Sequence, residues 1–365
     1  MKKKITLLAG ALCLCSLLKA QQPLGGFLKN TEISGYADIF YKYDFDKTGD
    51  NTKTSFTVPD NSIEPAMLTL KLVHTTGKFS ATADLGFGSK VEDFNYAENN
   101  SKVLLKQLFI DYRPTENFTL TAGSWTTHIG YELLDAPDND IYSMSYAFSN
   151  GPFFHTGIKA NYAKNGFNFM AGVDNPNDLK SSFNKIIIYD DNGNIIGRKN
   201  YYNKFIIWQA GYSKEKWSLY LNGLHGSYNP LDNNISQYDF VASYELTGKF
   251  KLGANATFSH TTYDSSDTKK DWYSLVLYAK YRAAENVALN YRGEYLDNKD
   301  GVLSLGQAAG NTVFANTFSA TITSGNFQLK PELRFESASE PIYHKSNGDT
   351  KKSSANFLVG AMYSF

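Results

Sequence analysis

The chain has 365 residues, 36 basic and 36 acidic side chains and a polar mean hydropathy of −0.38, yet it carries 25 Tyr and 25 Phe. Its two cysteines, Cys13 and Cys15, both lie in the first 20 residues, so the remainder can hold no disulfide framework, no cysteine metal site and no thiol nucleophile. Four lysines lie there too; without them 32 basic side chains face 36 acidic ones, a balance that argues against a nucleic-acid partner, which needs a basic surface.

Residues 1–20 read as a signal peptide. Lys2, Lys3 and Lys4 precede an apolar run from Ile5 to Leu18, and a small Ala20 stands before the polar Gln21-Gln22 pair. The run is shorter than the ~20 residues a spanning helix needs, so cleavage after Ala20 is expected, leaving one domain over 21–365. Leu12 and Leu14, just ahead of the cysteines, are too bulky for usual lipoprotein processing.

Beyond the leader the dominant period is two. Phe79, Ala81, Ala83, Leu85 and Phe87 share a face opposite Ser80, Thr82, Asp84 and Gly86, and the same alternation runs through 250–260, 273–282 and 327–336. Such alternation marks strands with one apolar and one polar face. In chain order it predicts sixteen strands: 32–45, 64–75, 78–88, 103–113, 117–127, 153–163, 166–174, 203–213, 216–225, 235–246, 249–260, 272–282, 287–296, 312–323, 326–336 and 354–365. An even number suits an all-β fold, a transmembrane antiparallel up-and-down β-barrel whose strands each cross the bilayer in ~9–11 residues.

The predicted connections alternate. Tight ones at Thr76-Gly77, Pro114 to Asn117, Lys164-Asn165, Lys214-Glu215, Thr247-Gly248, Ala283 to Asn286 and Ser324-Gly325 separate long polar ones at 46–63, 89–102, 128–152, 175–202, 226–234, 261–271, 297–311 and 337–353. Outer-membrane barrels have short periplasmic turns and long extracellular loops, which sets the expected orientation and places the chain in the bacterial outer membrane.

Leu68, Leu70, Leu72, Leu275, Leu277, Tyr281, Leu289, Tyr291 and Tyr295 then face outer-membrane lipid, while Tyr41, Tyr43, Tyr112 and Tyr212 near strand ends suit aromatic girdles. The last segment puts Phe357, Val359, Ala361, Tyr363 and Phe365 on one face. Tyr363 and Phe365 form the expected C-terminal signal for the barrel assembly machinery, because an edge strand must pair and close. A monomer and a homotrimer would both present this apolar outer face.

Three phrases resemble a known family: Ala122-Gly-Ser-Trp-Thr-Thr-His-Ile-Gly-Tyr-Glu132, Asp138-Asn-Asp-Ile-Tyr-Ser143 and Gly151-Pro-Phe-Phe-His-Thr-Gly157. They are similar to the outer-membrane β-barrel porins called OmpL-like or porin-2, common in the Bacteroidota, over most of the mature chain. The resemblance implies a barrel of porin type and does not name the solute.

Strand parity directs Asp38, Lys42, Lys71, Asp84, Asp111, Lys159, Asp239, Glu245, Lys280, Arg282, Arg292, Glu294, Lys330, Glu332, Arg334 and Glu336 into the lumen. A charge at the lipid midplane would cost ~2–4 kcal/mol, so their gathering on one face implies water there. The connection 128–152 follows the fifth strand, where the loop of sixteen-stranded general porins folds inward. Its Glu132, Asp135, Asp138 and Asp140 are the expected constriction, and Lys71, Lys159, Arg282, Arg292 and Arg334 the expected pore wall. Acids on the loop facing arginines on the wall would set a transverse field for small hydrophilic solutes or ions. A plugged binding or structural barrel that works through its loops remains an alternative.

Other chemistry finds little footing. His225-Gly226-Ser227 has a local His/Ser spacing but no third residue to orient the imidazole, so no catalytic residue is assigned. Tyr189 to Ile196 carries calcium-like oxygen ligands, yet isoleucines on both sides predict a hairpin turning at Asn192-Gly193. The six histidines are scattered, and no cofactor or metal is expected.

Overall fold

The structure, a computed structural model, describes residues 29–97, 105–181, 183–190, 192–229, 233–263, 266–306 and 310–365. The signal peptide expected over 1–20 lies outside them. Sixteen spanning strands form one closed antiparallel barrel. The first, β1, is broken at Gly35 into Thr31–Ser34 and Tyr36–Asp44. There follow β2 (Ser62–Thr76), β3 (Phe79–Phe87), helix α1 (Ser89–Phe94), β4 (Leu105–Thr115), β5 (Phe118–Thr126), helix α2 (Tyr146–Ser149), β6 (Phe154–Lys164) and β7 (Phe167–Asp174). The rest of the wall is β8 (Phe205–Lys214), β9 (Trp217–Asn229), β10 (Asn233–Thr247), β11 (Phe250–Tyr263), β12 (Thr268–Ala284), β13 (Val287–Asn298), β14 (Asn311–Ser324), β15 (Phe327–Ala338) and β16 (Ser353–Ser364).

Each strand pairs with its neighbours in sequence, and β16 closes the ring on β1 from Tyr36↔Ser364 to Asp44↔Asn356. Gly35 extends the closure, exchanging backbone hydrogen bonds with Phe365 at 3.0 and 2.9 Å. Among the described residues, closure leaves the barrel wall without an unpaired edge, which is the condition for a sheet in hydrocarbon.

The expected parity holds around the wall. In β12 the pattern alternates between exposed Tyr273, Leu275 and Leu277 and buried Trp272, Ser274 and Val276. Leu277 is 52% exposed, and with Leu68, Ile110, Leu221, Leu289 and Phe318 it belongs to a belt of apolar side chains on the outside. Aromatic pairs flank the belt at both ends. Phe79 stacks on Tyr112 at 4.7 Å and Trp217 on Tyr244 at 4.1 Å near the tight turns, while Tyr295 packs on Phe314 at 4.7 Å at the opposite end. Amphipathic rings suit the two membrane–water interfaces.

Seven connections are two-residue turns, at 77–78, 116–117, 165–166, 215–216, 248–249, 285–286 and 325–326. The expected long connections at 226–234 and 261–271 are mostly strand, because β9 runs to Asn229 and β11 and β12 meet at Tyr263↔Thr268. Backbone hydrogen bonds continue the ladder through these Asn-, Ser- and Thr-rich ends without any apolar alternation to announce it. The segment 175–202 does carry its own hairpin, Phe183–Tyr189 with Ile195–Tyr202.

Candidate functional site

The connection between β5 and β6, residues 127–153, folds into the barrel and is held by the wall on several sides. Its start is tied by a buried chain: Asp174 to His155 Nδ1 at 2.6 Å, and His155 Nε2 to Thr127 Oγ1 at 3.0 Å. Gly130 N–H then donates to Asp239 on β10 at 2.9 Å and Tyr131 N–H to Asn255 on β11 at 3.3 Å.

Two tyrosines of the loop occupy places that glycines leave open. Tyr131 stacks on Tyr278 at 4.2 Å, and a Cβ on lumen-facing Gly253 would come within 2.7 Å of its ring. Tyr142 lies over Gly360 of β16, where a Cβ would come within 2.3 Å, and its hydroxyl donates to Asp38 at 2.7 Å. A glycine inside a strand weakens it and usually marks such a close approach.

The loop backbone has no sheet to satisfy its N–H groups, and carboxylates take that part. Glu332 accepts from Tyr142 N–H and, at 3.1 Å, from Ser143 N–H. Glu294 accepts from Tyr146 N–H at 2.8 Å and Glu132 from Ser145 N–H at 2.7 Å. Arg292 joins these groups, donating to Glu132 at 2.7 Å, to Glu294 at 2.7 Å and to the Ser143 carbonyl at 2.5 Å. Arg334 also donates to Glu294, at 2.6 Å, and to Glu336 at 2.8 Å. Desolvation offsets much of the attraction in such a ladder, so its contribution is to fix geometry, whereas deleting one member leaves a charge uncompensated.

Lysines anchor the remaining turns. Lys330 donates to the carbonyl of Asn139 and, at 2.7 Å, to that of Ala136. Lys106 of β4 pairs with Asp135 at 2.6 Å and Asp84 at 3.2 Å, and Lys280 of β12 pairs with Asp140 at 2.6 Å. Lys90 of α1 reaches Asp38 at 2.8 Å. Toward the long-loop mouth, Phe56, Phe94, Leu134, Met144, Phe148 and Phe153 cluster between the loop, α1 and residues 45–61. Asp178 ties the end of the loop, accepting from Phe153 N–H at 2.6 Å, Phe154 N–H at 3.0 Å and the Tyr96 hydroxyl at 3.0 Å. Burial pushes its carboxyl up to about 7.

These contacts place the expected site residues as follows. Glu132 and Asp135 are engaged with Arg292 and Lys106, and Asp138 and Asp140 border a cavity of about 360 Å³ between the loop and β9–β12. Burial, then the neighbouring Asp135, pushes the Asp138 carboxyl up, against Lys330 and Lys71. Lys71 is half-buried on β2, and Lys159 sits 4.4 Å from the centre of the Trp125 ring. Arg282 is exposed at the tight-turn end of β12. Arg292 and Arg334 are buried and touch their acids, so they do not face them across water as a transverse field requires. Tyr363 and Phe365 point outward beside the closure.

His225 is exposed and hydrogen-bonds Ser236 at 2.7 Å, across the strand pair rather than along its own strand to Ser227. Lys90, Lys106, Tyr131 and Tyr142 were not singled out by the sequence. The nearest signal was a lumen-facing glycine amid strand residues with side chains, at 253 and 360.

Solved structures share this barrel. An anion-selective porin from Comamonas acidovorans superposes with a TM-score of 0.60 at 13% identity, covering 92% of this chain and 99% of that one. The trimer form of in-vitro folded OmpT, an outer membrane protein of Vibrio cholerae, gives 0.59 at 13% identity over 92% and 99% of the two chains. The outer membrane channel DcaP of Acinetobacter baumannii gives 0.56 at 12% identity over 92% and 97%. No curated protein matches the sequence significantly. The family described as "Putative beta-barrel porin-2, OmpL-like" matches residues 30–365, and the chain, with its closed sixteen-stranded wall, belongs to this family of outer-membrane porins.

Proposed function

We propose that ions and small hydrophilic solutes cross this outer-membrane porin by passive diffusion, passing between the inserted loop and the wall of β9–β12. The observation that carries the route is the cavity of about 360 Å³ there, lined by Asp138 and Asp140 on the loop and by Lys251 and Lys280 on the wall. Asp140 and Lys280 are paired at 2.6 Å, so the field across the gap is set by Asp138 on the loop and Lys251 on the wall; dipolar solutes align in it and polar groups replace lost water. The short turns face the periplasm, the loops the outside, and Tyr363 with Phe365 is read by the assembly machinery. Three copies associate through their outer faces, a reading supported by the trimer form of the Vibrio cholerae protein.

The test is the reversal potential of the refolded protein in planar bilayers under a salt gradient. Changing Asp138 and Asp140 together to Asn shifts selectivity toward anions. An unchanged potential removes both residues from the route.

A further inference from the structure

We infer that the tight-turn mouth of the lumen holds an anion-binding subsite, formed by Lys249, Lys251, Lys280 and Arg282, that takes the carboxylate or phosphate group of a solute. The inference rests on the proposed passage for its role in transport, but the subsite itself stands on separate observations.

The first is a cleft of about 410 Å³ in which these four cations converge and Glu245 is the acid present. The second is the register of the wall. Lys251 of β11 stands directly opposite Lys280 of β12, and both point into the lumen. Like charges in that relation repel and weaken a strand pair, so the site carries a built-in preference for a negative charge between them. Arg282 lies on the same face two residues further along β12, toward the turn.

Their partners are few. Lys280 pairs with Asp140 at 2.6 Å. Among the described residues, no carboxylate lies within 4.0 Å of the charged groups of Lys249, Lys251 or Arg282. Glu245 is opposite Lys251 in the ladder yet makes no ion pair with it. The guanidinium offers a bidentate fork and the ammonium groups offer point charges, a combination that matches carboxylate and phosphate oxygens. Low-dielectric walls around a cluster with an excess of one sign, here four cations against Glu245, also concentrate counter-ions at its mouth.

Inorganic tripolyphosphate serves as the probe, with the refolded full chain and the Lys251→Gln/Arg282→Gln double variant. Lys280 is left intact so that Asp140 keeps its partner, and an unchanged strand signal in circular dichroism certifies the fold. Calorimetry on detergent-solubilised protein should show binding that weakens on the order of fivefold in the variant, two exposed charge pairs being removed. In bilayers, the probe should block current when added from the tight-turn side, and the block should weaken in the variant. Absent binding, or equal binding by both proteins, overturns the subsite. Binding by a protein that never conducts upholds the subsite and overturns the proposed passage instead.

Discussion

Glu132 and Arg292 stand 160 positions apart in the chain and meet at 2.7 Å, both buried. One belongs to the inserted loop and the other to the barrel wall. Their contact ties the position of the inserted loop to strand register on β13.

Replacing Arg292 by Ala should therefore free the loop rather than retune its charge. Glu132 would be left buried without a cation while Glu294 keeps Arg334, and an uncompensated buried charge is worth ~3–5 kcal/mol in comparable pairs. Protease cleavage within 127–153 and single-channel conductance should both rise. Unaltered cleavage and conductance would show that the loop is held without this pair.

Gly360→Val places a side chain where the Tyr142 ring lies, 2.3 Å from the position of a Cβ. The ring must leave, taking its hydrogen bond to Asp38 with it. In a double-mutant cycle with Tyr142→Ala, the two changes should be strongly non-additive, since either one empties the same contact. Additive losses of thermal stability would deny that the glycine exists to admit the ring.

Tyr131→Ala removes the stack on Tyr278, worth ~0.5–1.5 kcal/mol beyond area burial, and widens the cavity beside Asp138 and Asp140. Conductance should increase while the loop stays docked through Arg292 and Lys330. Constant conductance with a docked loop would put the route elsewhere.

Asp178 gives a pH dependence with a definite sign. Its carboxyl, pushed by burial from 3.8 to about 7, holds a proton when docked that it releases when undocked at intermediate pH. Docking is thus strongest in acid, weakens as pH rises through the window from 3.8 to about 7, and stays at its weaker level above it. Exchange protection of the Phe153 and Phe154 amides, corrected for intrinsic rates, should fall across that window, and Asp178→Asn should abolish the trend. Protection that rises with pH would reverse the assignment.

The barrel was legible because lipid enforces period two at every crossing: Leu275 and Leu277 outside, Ser274 and Val276 inside, with parity as sole information. Loop placement between β5 and β6 was legible by order along the chain. What sequence could not convey was the distance between lumen charges. Arg292 and Arg334 are inward by parity whether they line water or meet a glutamate, and only three-dimensional packing decides which, with Glu132 of the loop for Arg292 and with Glu294 and Glu336 of the wall for Arg334. Parity placed Lys280 inside but could not tell it from Arg292, although one borders a cavity and the other is sealed. Gly253 and Gly360 carry the missing clue, an empty place facing inward, which becomes readable once a ring is known to fill it.

The hydrogen bonds between Gly35 and Phe365 belong to the wall pairing that is least local in the chain. Every other join in the wall links strands that follow one another, whereas this one unites segments from opposite ends of the wall and carries the largest loop-closure entropy. Until it forms, a nascent cylinder has two sticky margins and the inserted loop lacks the β1 and β16 surfaces that hold Tyr142. A chain shortened before residue 353 would stay an open sheet, exposed to aggregation however sound its remaining fifteen strands.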